Sequence, residues 1–279
     1  MNFLKSLKLY KRDKEHKLPS SFRIGELVIS DLKPLGGMFK KGVTKAGRIS
    51  LSGTLDNGKK VKIYESFKSS QINLRKKVGD QLKNEDVLLP SLIAKDENFI
   101  VEEWIEGKNL SKINPDYLEK HSCRVINFLK KIHSDYDFIE ISNYNKNAFC
   151  YLSEYLLIRL KKWERWNPVE NLLKEWLESN LETDGIIQSR VSHPDLSLSN
   201  IILTPEEKLY IVDNELIGVG KGWLLDERNS FFRGKINQPE LDKKCKYFYN
   251  LSWKLRLVGS AIDQGDFFRA ERMADLQRM

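Results

Sequence analysis

The hydrophobic pattern of this 279-residue chain changes its period near Gly107. From Ser21 to Gly107, apolar and polar residues alternate in short runs, which is the period of strands with one buried face. After Gly107, apolar residues recur every three or four positions, which indicates amphipathic helices. Only residues 201–213 return to strand-like runs. This order predicts an α+β protein with a strand-rich first part and a mainly helical second part.

Turn signals divide the first part into hairpins. Asp56-Asn57-Gly58 separates two alternating runs, 48–55 and 60–64, and Asn-Gly is a strong signal for a two-residue hairpin turn. A second hairpin is predicted over 91–104, and a polar helix from about 69 to 83 lies between the two. We therefore expect an antiparallel sheet with one helix.

Three segments follow from this pattern: a basic arm (1–20), a strand-rich lobe (21–107) and a helical lobe (108–279) with an embedded β-hairpin. The arm combines lysines with an apolar set that could share one helical face, which would suit peripheral contact with an acidic membrane surface. A solvated arm is the simpler interpretation. We expect a single nucleotide site where the two lobes meet.

Charge and cysteine content narrow the function classes. The net charge is +8, and the whole excess lies in residues 1–110. Aromatic residues are not interleaved with the basic ones there, which disfavours nucleic-acid binding. No apolar run is long enough to span a bilayer. The three solitary cysteines (Cys123, Cys150 and Cys245) provide neither a disulfide framework nor a zinc site, so we expect a cytoplasmic protein.

The segment with the most chemical content contains His193, Asp195 and Asn200 and is followed by Asp213. Phosphoryl transfer requires a carboxylate near the attacking hydroxyl and hard oxygen ligands for Mg²⁺. Asp195 and Asn200 precede one predicted strand, and Asp213 ends the next. A hairpin would bring all three to one edge. The simpler interpretation is a polar loop in which Asn200 and Asp213 form turns.

This spacing resembles the catalytic and metal-binding loops of protein kinases. The His193-Pro-Asp195 form, and Asp213-Asn-Glu215 where protein kinases have Asp-Phe-Gly, are more similar to the aminoglycoside phosphotransferase and choline kinase family. The resemblance implies a bilobal protein-kinase-like fold and a kinase that uses ATP and Mg²⁺. It implies that Asp195 is the catalytic base, that His193 braces its loop, and that Asn200 and Asp213 bind Mg²⁺ with Glu215 nearby.

The resemblance extends to the first part of the chain. Lys62 follows a hairpin turn on a strand, as does the family lysine that holds the α- and β-phosphates. The run 99–107 resembles the hinge between the lobes, which implies that backbone groups of Glu103, Trp104 and Ile105 bind adenine. A lone lysine on a strand is otherwise a solvated residue, and 99–107 is otherwise only a strand and a turn.

Two features depart from the family pattern. The predicted phosphate-covering loop, with Gly36 and Gly37, lacks the Gly-x-Gly-x-x-Gly spacing. The predicted helix 69–83 has no glutamate to pair with Lys62; Gln71 lies near the expected place. Later acidic candidates are Asp80 and Glu85.

The acceptor is the least constrained part of the prediction. The charge-balanced second part disfavours a polycationic substrate, and we expect a hydroxyl of a small metabolite or sugar. A cell-envelope or glycan-linked sugar is the close alternative. The missing helix glutamate motivates a different class, a pseudokinase that binds nucleotide as a scaffold. The oligomeric state is left open.

Overall fold

The structure is a computed structural model. It describes residues 18–35, 49–65, 69–83, 87–121, 123–124, 127, 167–184, 186, 190–192, 198–214, 217–220, 243–263 and 265–275. The chain divides into two compact units. One draws on Met1–Lys120 and Asp195–Ile217, and the other on His121–Pro194 and Gly218–Met279.

The described strands are β1 (Ser21–Ile24), β2 (Leu27–Pro34), β3 (Ser50–Leu55), β4 (Lys60–Glu65), β5 (Val87–Leu88), β6 (Leu92–Lys95), β7 (Phe99–Glu103), β8 (Lys108–Asn109), β9 (Arg190–Ser192), β10 (Ile201–Leu203), β11 (Leu209–Ile211) and β12 (Gly218–Gly220). The described α-helices are α1 (Ser69–Leu82), α2 (Pro115–Lys120), α3 (Asn167–Glu182), α4 (Lys243–Asp263) and α5 (Phe267–Asp275). None of them is both long and apolar enough to cross a membrane.

Six antiparallel strands form the main sheet of the first unit, in the order β1-β2-β3-β4-β7-β6. The predicted hairpin turn is confirmed: β3 pairs with β4, and the Gly58 amide donates to the Leu55 carbonyl at 2.8 Å. Gly58 has a φ of 77°, the left-handed conformation that glycine adopts at little cost. The second predicted hairpin is also confirmed, as β6 paired with β7.

Side-chain alternation gives the sheet two different faces. One face contributes a hydrophobic core whose buried members are Phe22, Ile24, Ile29, Ile49, Leu51, Leu55, Val61, Ile63, Phe99 and Val101. The intervening residues of β4 and β7 point to the other face. There Tyr64 and Ile100 form a smaller buried cluster with Ile72 of α1. Lys62 of β4 also lies on this second face.

A second, four-stranded sheet has the order β5-β11-β10-β8. Strands β10 and β11 form the hairpin that the sequence predicts, with Ile201 opposite Ile211. The hairpin is extended on both sides by strands from the first part of the chain: β8 pairs antiparallel with β10, and β5 pairs parallel with β11. These pairings attach the hairpin to the first unit.

The second unit is mainly helical in its described part. Trp176 of α3 is almost fully buried and stacks on Phe248 of α4 with ring centroids 6.1 Å apart. Its indole N–H donates to the Ser252 hydroxyl at 2.7 Å, which satisfies the buried donor. A two-stranded ribbon of β9 and β12 belongs to the same unit.

We predict that Gly107→Ala destabilises the first unit. A Cβ at Gly107 would lie 2.6 Å from Ile202 Cγ2 and closer still to the Leu203 carbonyl oxygen, so β8 and β10 would have to separate. Overpacking of this kind costs about 1–3 kcal/mol, to be measured by urea unfolding. The matched control is Gly25→Asn, because a Cβ there meets nothing within 4 Å and asparagine tolerates its positive φ. Equal stability of the two variants would contradict the prediction.

Candidate active site

The centre of the candidate site is an ion pair between Lys62 and Asp213. Lys62 Nζ lies 2.7 Å from Asp213 Oδ1, which joins positions 151 residues apart in the sequence. The lysine side chain is 9% exposed, whereas the aspartate side chain is 51% exposed. A buried ammonium is thus held against a carboxylate that remains open to solvent.

Asp213 follows β11 in an unusual backbone conformation. Its φ is 61°, a left-handed value that few non-glycine residues adopt and that aspartate tolerates better than most. Strain of this kind persists only where the surrounding structure holds it, and it is concentrated at functional sites. The conformation directs the chain out of the hairpin directly after the carboxylate.

Asn200 lies at the same end of the hairpin as Asp213. It ends a short 3₁₀ turn, Leu198–Asn200, directly before β10, and it is buried. Its carbonyl accepts a hydrogen bond from the Val212 amide at 2.9 Å. Asn109 of β8 donates its side-chain amide to the Ser199 carbonyl. The hairpin register therefore brings the predicted amide and carboxylate ligands to neighbouring positions.

The predicted hinge follows β7. The Glu103 amide donates to the Ser91 carbonyl at 3.0 Å, and its carboxylate accepts from the Ser91 amide at 2.8 Å. The Trp104 amide donates to the Lys60 carbonyl at 3.3 Å, and Lys60 Nζ lies 3.7 Å above the Trp104 ring. Trp104 and Ile105 are half-buried. The segment is thus anchored to both neighbouring strands of its sheet.

Tyr210 of β11 belongs to the same neighbourhood. Burial raises the pKa of Tyr210, and the carboxylates of Glu103 and Glu206 raise it further. The phenol therefore stays protonated at neutral pH and can donate a hydrogen bond. The sequence contained no signal for this residue, because its proximity to the hinge depends on the second sheet.

Several predicted site residues lie outside the described residues: Gly36, Gly37, His193, Asp195 and Glu215. Their roles stay predictions from the sequence. The described residues bring together Lys62, Asn200 and Asp213 within one unit, and they place Glu103, Trp104 and Ile105 at the end of a strand that pairs with β4.

A second ion pair, which the sequence analysis missed, lies on the same face of the sheet as Lys62. Arg75 Nη2 of α1 is 3.2 Å from Glu102 Oε2 of β7, and both side chains are only 1% exposed. A signal for it was present: Glu102 interrupts an apolar strand, where a charge is buried only if it is paired. Asp80, one of the later candidates to pair with Lys62, is exposed near the end of α1.

The donor atoms suit a hard divalent cation. Carboxylate and amide oxygens are ligands that Mg²⁺ accepts, and Asp213 and Asn200, at the same hairpin end, are residues of these two types. Among the described residues, no group of three or more His, Cys, Asp or Glu side chains could hold a metal ion. The Lys62 ammonium beside this donor pair suits a phosphate-bearing ligand.

The solved structures that this chain resembles include an ATP-bound phosphotransferase and a choline kinase. The chain is 15% identical to the aminoglycoside phosphotransferase APH(2″)-IIa, in a complex with streptomycin and ATP, at a TM-score of 0.55 over 90% of this chain and 92% of that one. It is 14% identical to the choline kinase LicA from Streptococcus pneumoniae, at a TM-score of 0.56 over 88% and 93%. The chain has the fold of these phosphotransferases.

A third neighbour is an ethanolamine kinase from Plasmodium vivax, 13% identical at a TM-score of 0.50 over 90% of this chain and 82% of that one. The sequence matches no protein-family model and no curated protein. The α+β protein-kinase-like fold expected from the sequence is confirmed by these neighbours. At this low identity, the roles of residues in these neighbours are not transferred to residues of this chain.

We predict that substitutions of Asp213 separate its backbone role from its side-chain role. At a φ of 61°, alanine is strained and glycine is not, so Asp213→Ala should be less stable than Asp213→Gly by about 1 kcal/mol. Asp213→Asn should lie between them. Thermal unfolding measures the order. An alanine variant as stable as the glycine variant would show that the left-handed conformation is absent.

Proposed function

We propose that this protein is an ATP- and Mg²⁺-dependent phosphotransferase that moves the γ-phosphate of ATP to a hydroxyl of a small metabolite or sugar. The observation that carries the proposal is the contact of 2.7 Å between Lys62 Nζ and Asp213 Oδ1. It holds a buried cation beside a solvent-accessible carboxylate at the end of a hairpin. Phosphoryl transfer depends mainly on such positioning of charge.

The nucleotide would be held by the first unit. Lys62 would donate to the α- and β-phosphates, where its charge offsets theirs. Backbone groups of Glu103, Trp104 and Ile105 would bind adenine. The amides of Glu103 and Trp104 donate within the sheet, so adenine would use carbonyl groups of this segment and the Ile105 amide. The segment follows β7, which is in register with β4, the strand of the lysine. The loop with Gly36 and Gly37 would cover the phosphates.

Asn200 and Asp213, with Glu215 nearby, would hold Mg²⁺. The bound ion would supply neutralisation of charge on the phosphate oxygens. Asp195 would accept the proton of the acceptor hydroxyl, and His193 would brace the loop that carries it. The hydrogen bond from the Val212 amide to the Asn200 carbonyl supports the pairing of Asn200 with Asp213 as Mg²⁺ ligands, because it brings the two residues to neighbouring positions.

The fold neighbours support a small acceptor. One was solved with the aminoglycoside streptomycin, and others are choline and ethanolamine kinases. The balanced charge of residues 111–279 favours a neutral or weakly charged acceptor over a polycation. A screen of metabolites and sugars, including envelope sugars, with radiolabelled ATP would identify the acceptor.

We predict that Lys62→Met weakens Mg-ATP binding about 10- to 100-fold. The substitution removes a charge-assisted hydrogen bond, for which a loss of about 1.5–3 kcal/mol is typical. Lys59→Met is the matched control, because Lys59 lies in the exposed β3–β4 turn. Isothermal titration with Mg-ATP measures both variants. Unchanged affinity in Lys62→Met would remove the lysine from the nucleotide site.

We predict that Asp195→Ala lowers phosphate transfer about 10²- to 10⁴-fold, the usual loss on removal of a general base, with ATP binding nearly intact. Asp213→Asn should instead weaken Mg²⁺-dependent ATP binding. The exposed residue Asp116 provides a control, Asp116→Ala. Equal ATP consumption by wild type and Asp195→Ala across a wide acceptor panel would support the nucleotide-binding scaffold. Failure of the wild type to bind Mg-ATP would overturn the proposed function.

A further inference from the structure

The buried pair of Arg75 and Glu102 adjoins Lys62 in the sheet. In the antiparallel pairing of β4 and β7, Lys62 and Glu102 are direct partners. Side chains of such partners project to the same face with Cβ atoms about 5 Å apart. Lys62 is therefore flanked by two carboxylates, Asp213 at its ammonium group and Glu102 on the adjacent strand.

A series of contacts links the helix to the lysine. Arg75 Nη2 contacts Glu102 Oε2 at 3.2 Å and also donates to the Pro90 carbonyl. The Tyr64 hydroxyl donates to the same Glu102 oxygen at 3.4 Å. Lys62 Nζ lies 5.3 Å from the centre of the Tyr64 ring, within the range of a cation–π attraction. One carboxylate oxygen thus joins α1, β4 and β7.

The charges on this face require Glu102. A guanidinium carries a permanent charge in proteins, and the Arg75 side chain is 1% exposed. Without the Glu102 charge, a buried guanidinium would lie uncompensated on the face that also holds the Lys62 ammonium. Repulsion between the two cations would push the lysine, which has a flexible four-carbon stem, away from Asp213.

We propose that Glu102, fixed by Arg75, is a positioning residue that holds Lys62 at the phosphate-binding position. Helix α1 contributes the cation of this pair and β7 the carboxylate, and Asp80 is the only acidic residue of the helix. That Lys62 binds a nucleotide phosphate rests on the proposed function. The placement of Lys62 against Asp213 does not rest on it, and this placement can be tested without any measurement of activity.

The test compares three changes in the full-length protein. Glu102→Gln keeps the shape and removes the charge, and Glu102→Asp keeps the charge on a shorter stem. The double variant Arg75→Met/Glu102→Met replaces the pair with apolar residues of similar size, a replacement that often preserves stability. Ser252→Ala is the control for stability alone, because it removes a buried hydrogen bond to Trp176 in the other unit.

We expect KM for ATP to rise about 10- to 100-fold in Glu102→Gln, since displacement of a binding group by about 1 Å can have an effect of that order. In the double variant KM should stay near the wild-type value, because no buried guanidinium is left to repel Lys62. Glu102→Asp should retain more affinity than Glu102→Gln. The double variant should unfold near the wild-type temperature, and Ser252→Ala should lower that temperature without a change in KM. Crystal structures should show Lys62 Nζ beyond hydrogen-bond distance of Asp213 in Glu102→Gln and within that distance in the double variant.

Two results would overturn the inference. One is a folded Glu102→Gln variant with wild-type KM, which would reduce the pair to a stabilising contact. The other is a Glu102→Gln structure in which Lys62 keeps its contact with Asp213. If the wild type does not bind Mg-ATP, the proposed function fails by itself, and the crystallographic comparison still decides whether Glu102 positions Lys62.

Discussion

The register between β4 and β7 is the constraint on which the candidate site depends. It places Lys62 opposite Glu102 and leaves Val61 and Ile63 on the opposite, fully buried face. A slip of one residue would exchange the two faces, which would put the ammonium into the hydrophobic core and remove it from Asp213. The burial of the core face therefore enforces the position of the lysine.

The second sheet positions the predicted oxygen ligands Asn200 and Asp213, just as the main sheet positions the Lys62 ammonium group. Strands β10 and β11 have only three residues each, so the hairpin has little stability of its own. Pairing with β5 and β8 on its two sides supplies the support. That support also holds Asp213 in a left-handed conformation that an isolated turn would not maintain.

The pair of Arg75 and Glu102 is better understood as a determinant of geometry than as a source of stability. Buried ion pairs often contribute little net free energy, because desolvation offsets their attraction. Truncation of one partner is nevertheless costly, since it leaves the other charge buried. The charges of Lys62, Arg75 and Glu102 on this face therefore have one arrangement of low energy. That arrangement holds the lysine side chain in one orientation, whereas a solvent-exposed lysine would sample many.

Local patterns in the sequence determined the hairpins and the helical second part, because alternation and turn chemistry act between near neighbours. The candidates Lys62, Asn200 and Asp213 came from a spaced motif and from the family that it resembles. The tertiary structure alone decided that Arg75 pairs with Glu102, that β5 joins β11 in parallel, and that Asp213 has a φ of 61°. These features arise between segments far apart in the chain. Glu102 in an apolar strand indicated that a partner exists, but which groups share a buried face depends on the tertiary structure, and no local sequence pattern identifies the partner.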